Sequence, residues 1–277
     1  MAFAYFGYND HKGVFTLRID THTHGKLAKN LPFSEQYTQN LFKEAKKRGV
    51  EALALTEHFN TQEFDKIYQY IHDKYERQGD TFLVEGVRVF PGLEIDILEG
   101  GHNLVIGNYE EVQALRQEIL SISTVSDFLP AAKLFPLVKK YDVIFGAAHV
   151  YRKGCNNLNL DDSLIDMYDF FDLNGKDTGL MGPTNVDKIK QVAAQYGKPV
   201  LAGSDTHQYL QYGSVINDFK REFDTIADFR KEIASGDYEL LVHPAIQEKI
   251  EGANLLKKAL KELQKAGGSY DVQLVIE

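Results

Sequence analysis

Phe15-Thr-Leu-Arg-Ile-Asp20-Thr-His22-Thr-His24 reads as a strand whose apolar run gives way to alternating acid and imidazole. In an extended chain, alternate side chains share a face, so Asp20, His22 and His24 point the same way and the two imidazoles can meet one ion. Asp20, one layer deeper, is placed to accept a histidine N–H and so support a ligand. Paired histidines also occur on solvated strands, and repetition is what lifts this pair above that background. Thr56-Glu57-His58, Pro91-Gly-Leu-Glu94, Gly101-His102-Asn103, Ala147-Ala-His149 and Gly203-Ser-Asp205-Thr-His207 each bring an acid or an imidazole to the end of a short apolar run. Six of the nine histidines stand in this way. Neutral imidazole with carboxylate suits zinc, manganese or iron.

Working outward, strands and helices alternate, the pattern of an α/β fold. A helix is expected over Ser34–Arg48, with Ser34 as its N-cap and Gly49 as its stop. The strand Glu51–Thr56, a helix over Gln62–Arg77 with an apolar stripe, and the strand Val87–Phe90 rising to Glu94 follow. Further strands are expected at Asn103–Ile106, Val143–Phe145, Phe170–Leu173 and Pro199–Ala202. Helices are expected near Glu110–Leu120, Ser126–Lys140, Val186–Tyr196, Thr225–Ile233 and Ile246–Ala266. No repeat or linker divides the chain, so residues 1–277 are read as one domain. In a parallel barrel the loops after the strands converge on one rim, which would gather all these acids and imidazoles there.

The 277 residues, 43% hydrophobic and 26% charged with seven prolines, describe a folded globular chain. One cysteine, Cys155, provides neither a disulfide framework nor a thiolate cluster and is read as a packing residue. The N-terminus lacks a basic start followed by a long apolar stretch, and no run of about 18 apolar residues occurs, so a cytoplasmic protein without a membrane partner is expected. A net charge of −9 offers no attraction to polyanions, and duplex nucleic acid is accordingly taken as an improbable partner. A small phosphorylated substrate, held by metal and local cations, is expected instead.

The ordered set Asp20-Thr-His22-Thr-His24, Leu55-Thr-Glu57-His58, Gly92-Leu-Glu94, His102-Asn-Leu, Ala148-His149 and Gly203-Ser-Asp205-Thr-His207 resembles the polymerase-and-histidinol-phosphatase (PHP) family of metal-dependent phosphoesterases. The resemblance implies a distorted (β/α)7 barrel of TIM type with up to three zinc, manganese or iron ions at the C-terminal rim of its strands. It implies that His22, His24, Glu94 and Asp205 hold one ion, and that Glu94 bridges to a second held with His102 and His149. His58 and His207 would belong to a third. The remaining ligand of that third site falls, in the family, several residues beyond H-x-H, where this chain reads Gly25-Lys-Leu-Ala-Lys-Asn30. Asn30 offers only a neutral amide oxygen, so two ions are expected, with the third weak, exchangeable or absent.

Two cations about 3.5–4 Å apart acidify a shared water and clamp a phosphate oxygen, so the nucleophile is expected to be a metal-activated hydroxide. Arg152, three residues after His149, is the cation best placed by sequence to offset charge on phosphate, with Lys26 behind it. Asp205 or His207 could protonate the leaving group. Asn174, at the end of Phe170–Leu173, is expected to contact substrate or support the metals. His11 and His72 are read as solvated and His243 as structural. The expected activity is phosphate-ester hydrolysis, on a small phosphomonoester as a histidinol phosphatase would act. An amidohydrolase-type metal hydrolase, which also begins D-x-H-x-H, and a non-catalytic metal-binding module are the alternatives. Glu94 in mid-chain and the terminal Asp205-Thr-His207 fit the first alternative less well.

Overall fold

A computed structural model describes residues 17–271. His11 and the first two residues of the expected strand Phe15–Asp20 lie outside them. Strand β1 (Leu17–Thr23) leads to helix α1 (Glu35–Lys47), β2 (Ala52–His58) and α2 (Phe64–Lys74). A hairpin, β3 (Arg77–Gln78) and β4 (Thr81–Val84), precedes β5 (Val87–Asp96) and β6 (His102–Ile106). Then come α3 (Tyr109–Ile122), α4 (Ala131–Val138), β7 (Ile144–Ala148), α5 (Asp162–Ile165), β8 (Phe170–Asn174), α6 (Gly175–Met181), α7 (Pro183–Gln195) and β9 (Val200–Gly203). The described chain closes with β10 (Val215–Phe219), α8 (Ile226–Ser235), β11 (Tyr238–Val242) and α9 (Ile246–Lys265).

The Ser34 hydroxyl accepts from the Tyr37 amide and starts α1 as expected, and Gly49 leaves it at φ +73°. The helix expected over Gln62–Arg77 is shorter, because Glu63 takes a left-handed backbone before it and Tyr75 turns extended after it. Arg77 instead pairs with Phe82 in the hairpin. The helix expected over Ser126–Lys140 begins only at Ala131, since Pro130 has no N–H to give an earlier turn. β10 and β11 carry no clear alternation and were not expected as strands.

The sheet runs β11-β10-β1-β2-β5-β6-β7-β8-β9 and curls into a nearly closed barrel, the distorted TIM-like form of α/β fold. Its parallel stretches are β1-β2-β5 and β7-β8-β9, while β6 runs against both of its neighbours. The expectation that every functional residue follows its strand therefore fails at His102, which opens β6. An antiparallel strand reaches the shared rim with its first residue, so His102 still arrives there.

Alternation sorts the core into two layers. Ala52, Ala54, Phe90, Leu104, Ile144, Phe170 and Leu201 pack inside the barrel, whereas Leu53, Leu55, Val89, Leu93, Val105 and Phe145 pack outward under the helices. The seam between β9 and β1 closes through Asp205 N–H to His22 O (2.8 Å) and His24 N–H to Thr206 O (2.9 Å). The Asn217 carboxamide bridges it lower down, donating to the carbonyls of Ile19 and Ala202 and accepting from the Ala202 amide. Gly203 permits this approach, because a Cβ there would lie 2.2 Å from the His22 Cβ. No helix among the described residues is long and apolar enough to cross a membrane.

Candidate metal centre

β1 does not keep the strict two-residue period expected of it. Its register against β2 shifts between Asp20 and Thr23. Leu17 and Ile19 face the barrel interior, and after the shift His22 and His24 face the rim above it. Around these two imidazoles stand His58 from the end of β2, Glu94 from β5, His102 from β6, His149 after β7, and Asp205 and His207 after β9. Three sets of ligand atoms come together within 4.8 Å: His22, His24 and Asp205; His58, Glu94 and His102; and His24, His58 and His207.

Glu94 is the hub. One oxygen, Oε2, lies 3.5 Å from His22 Nε2, 3.3 Å from His24 Nε2 and 3.0 Å from His58 Nδ1. The other, Oε1, lies 2.5 Å from His102 Nδ1 and 3.1 Å from His149 Nε2. Asp205 Oδ1 is 3.4 Å from His24 Nε2, 3.9 Å from His22 Nε2 and 3.7 Å from His207 Nε2. His22 Nε2, His24 Nε2, His58 Nδ1 and Glu94 Oε2 are nevertheless buried without hydrogen-bond partners. They are near one another yet form no mutual hydrogen bonds, so these donor atoms converge on shared points. Leaving such groups unsatisfied is costly, and divalent cations would satisfy them all. The donor set fits zinc, manganese or iron.

The protonation pattern agrees. Burial pushes His58 down to about 4 and His149 down to about 3, and burial with the charge on His24 holds His207 well below its ordinary value, so these three present neutral nitrogens. Burial also acts against protonation of His22 and His102, but Glu94 with Asp172 outweighs it at His22 and Glu94 with Asp96 raises His102 to about 10. Burial disfavours the charged forms of Glu94 and Asp205 as well. The imidazoles around Glu94, and Arg152 beside Asp205, override it and hold both carboxyls well below the usual range. In the chain alone, protons supply positive charge that cations would otherwise provide.

Three acids unnoticed in the sequence support these groups. Asp172 Oδ2, on β8, accepts from His22 Nδ1 at 3.1 Å, from the His149 amide at 3.3 Å and from Asn174 Nδ2 at 3.1 Å. Asp96 lies 3.1 Å from His102 Nε2. Asp177 binds Arg152 Nε at 3.0 Å. The available signal was a carboxylate inside an apolar strand, Phe170-Phe-Asp-Leu173, and an acid two residues beyond Glu94 on the same strand. His149 and Asp205 carry positive φ, 34° and 56°. Such backbone costs of order 1–3 kcal/mol per residue and tends to persist where the surroundings hold it at a functional site.

Several expectations change. Asp20 takes no histidine ring N–H; its Oδ1 accepts the amides of His22 (3.2 Å) and Ser204 (2.9 Å), tying β1 to the loop after β9. Asp172 does the work anticipated for it. Lys26 is buried with its ammonium on the Gln62 carbonyl, while its own carbonyl receives His207 Nδ1 at 2.9 Å. Asn30 is exposed in a turn, and His24 supplies the third corner beside His58 and His207. Glu57 accepts the Gly25 and His58 amides and lies 3.6 Å from His24 Nδ1. Arg152 does reach the rim, where its Nη2 meets Asp205 Oδ2 at 2.7 Å and Asn174 Oδ1 at 3.1 Å. His72 is exposed beside Asp73, and His243 accepts the Ala245 amide.

Residues 20–176 match the family model for the PHP domain, over half of the chain. The chain belongs to the PHP family. Residues 183–238 match the PHP-associated model. The cluster residues His22 to His149 thus lie in the first segment, and Asp205 and His207 in the second. Among solved structures, PsfC from Pseudomonas syringae is 18% identical, covers 88% of this chain and 99% of its own, and superposes with a TM-score of 0.73. A lesion-specific endonuclease from Pyrococcus furiosus is 21% identical with a TM-score of 0.64; 82% of this chain matches 58% of that one. Endonuclease Q bound to a 27-mer duplex with an abasic lesion at its active site is 22% identical, with the same coverages and a TM-score of 0.62. These likenesses show a shared fold. No curated protein sequence matches the chain.

Endonuclease Q overturns the expectation that duplex nucleic acid is an improbable partner for this architecture, because a protein of the PHP fold holds a duplex at its active site. Net charge is the wrong physical measure here. A charge of −9 is a sum over the whole chain, whereas capture of a phosphate depends on the local field at the rim.

Proposed function

We propose that this PHP protein hydrolyses a phosphate ester, in the first instance a small phosphomonoester, at a centre of two or three divalent ions. The observation that carries the reading is the convergence of imidazoles and carboxylates from six different strand ends around Glu94 and Asp205, with His22 Nε2, His24 Nε2, His58 Nδ1 and Glu94 Oε2 buried among them without hydrogen-bond partners. His22, His24, Glu94 and Asp205 would hold one ion; Glu94, His58, His102 and His149 surround a second position; His24, His58 and His207 frame a third. Bound there, divalent ions supply an acidified water and a positive clamp for phosphate oxygens.

The chain's own residues do the rest. Asp172 and Asp96 fix the rings of His22 and His102, and Tyr37 anchors the His207 loop by donating to its carbonyl at 2.5 Å. Arg152, held by Asp177, Asn174 and Asp205, brings a rigid cation to the edge where phosphate oxygens would arrive. His207 is held well below its ordinary value and Asp205 is ionised, so neither starts with a proton to give; with no ion at the third position, the proton lost by the attacking water would pass to Asp205 or His207 and from there to the leaving-group oxygen. The segments 20–176 and 183–238 act as one catalytic unit on this reading, because neither contains the whole ligand set.

Protein loaded separately with Mn2+, Zn2+ and Fe2+ is assayed on phosphomonoesters and phosphodiesters, with Asp205→Asn as control. Turnover of monoesters that disappears on chelation and in the control is expected. Turnover that survives complete chelation would refute the mechanism, and turnover confined to diesters would replace the monoester assignment.

A further inference from the structure

The helix α9 carries Ile246, Ile250, Ala253 and Leu260 along its packed face, which lies against α6 and the turn after His207, at the spacing of a buried stripe. Lys257 stands in that stripe, between Ala253 and Leu260, and Lys261 follows one turn later. An aliphatic residue would be the ordinary occupant. α9 crosses α6, where Ile250 presses on Gly179 so closely that a Cβ would meet it at 2.5 Å, and it passes Leu210 in the short turn after His207. The chain beyond α9 then returns to the start of α1, where Asp271 accepts from the Ser34 hydroxyl at 2.8 Å. α9 therefore runs past the short turn that follows His207. α6 begins directly after Asn174 and contributes Lys176.

We propose that Lys176, Lys257 and Lys261 form an anion subsite beside the metal centre, which receives a second phosphate group of the substrate. This rests on the phosphoesterase reading and deepens it. All three lysines are half-buried, and among the described residues none of them forms a hydrogen bond or ion pair. Lys257 and Lys261 stand one turn apart on α9 and Lys176 belongs to α6, which packs on it; ammonium groups without carboxylate partners on two packed helices are unfavourable without a counter-charge. Elsewhere on this surface lysines do find carboxylates, as Lys74 does with Glu35 and Lys139 with Asp169. The field between the two sites is also felt: burial with the neighbouring Lys176 and Lys261 pushes Lys257 down to about 8, against the pull of Asp205 and Glu57. An anion is the missing member. A phosphate fits better than a carboxylate, since its several oxygens can accept from three ammonium groups at once.

The test compares a sugar bisphosphate with p-nitrophenyl phosphate on metal-loaded full-length protein, for the wild type, Lys257→Met and Lys261→Met. Methionine keeps the length of the stem and removes the charge. The KM of the bisphosphate relative to that of p-nitrophenyl phosphate should rise at least tenfold in each variant. A dinucleotide is run in parallel; if its relative KM alone rises, the second phosphate belongs to a polynucleotide and the small-molecule form of the proposal falls. Binding of inorganic sulfate by calorimetry is the readout that does not need turnover, and it should weaken severalfold in both variants. Sulfate binding that depends on Lys257 in a protein without hydrolase activity would sink the phosphoesterase reading and keep the subsite. Hydrolysis with unchanged KM ratios and unchanged sulfate binding would sink the subsite alone. If Lys257→Met does not fold, Lys261→Met decides.

Discussion

Replacing Asp172 with asparagine removes one negative charge from beneath the metal centre and nearly preserves shape. Asp172 Oδ2 takes three donors, His22 Nδ1, the His149 amide and the Asn174 carboxamide, at 3.1–3.3 Å. An amide oxygen in the same place can still accept all three, so the rings should keep their positions. What changes is the basicity of His22, whose Nδ1–H would face a neutral acceptor instead of a carboxylate. Loss of such support typically costs about 10–100-fold in metal affinity or activity, equivalent to about 1.4–2.8 kcal/mol. The new NH2 has a separate cost. Asp172 Oδ1 is buried with no hydrogen-bond partner, so a donor there would be unsatisfied, worth about 1–3 kcal/mol of stability. The two costs separate experimentally: chelator competition reads metal affinity, and denaturant unfolding of metal-free protein reads stability. Metal affinity within twofold of wild type, in a variant that unfolds normally, would refute the role given to Asp172.

Glu94→Gln should lose at least one equivalent of bound metal by mass spectrometry, because five imidazoles share its two oxygens; full stoichiometry would show that Glu94 is no bridge. Arg152→Lys should lower kcat/KM at least about tenfold, since one ammonium cannot span Asp205, Asp177 and Asn174, and one charge-assisted hydrogen bond is worth about 1.5–3 kcal/mol. Metal uptake at pH 7 should release protons. His22 is held well above its ordinary value and His102 at about 10, so both bind protons that a cation must displace, and affinity should climb as pH rises toward 10. Calorimetry in buffers of different ionisation enthalpy counts those protons, and a net release of zero contradicts the assignment. Gly203→Ala should destabilise by about 1–3 kcal/mol or more in denaturant titration, because its Cβ would strike the His22 Cβ and backbone where the barrel closes.

The parts legible in the sequence are those where a local pattern and the tertiary role coincide. Period-two imidazoles at the end of an apolar run announced the rim, and the capping Ser34 with the stopping Gly49 announced α1. The hidden parts are those where a long-range partner sets the role. Nothing local marks β6 as antiparallel, because the direction of a strand is decided by the chain that precedes it; His102 was found for the wrong reason, as the close of a run that it opens. Asp20 and Asp172 show the same limit in reverse. Both are buried carboxylates on strands, and only the seam between β1 and β9 decides that Asp20 braces backbone amides while Asp172 faces an imidazole. Net charge failed for a related reason, since it averages over the whole chain and carries no information about the field at one rim. A cation on the packed face of α9, where the 3.6-residue period calls for an aliphatic side chain, breaks a local rule without local compensation. Such conflicts between pattern and residue are where function overrides packing, and Lys257 is the one this chain leaves in plain view.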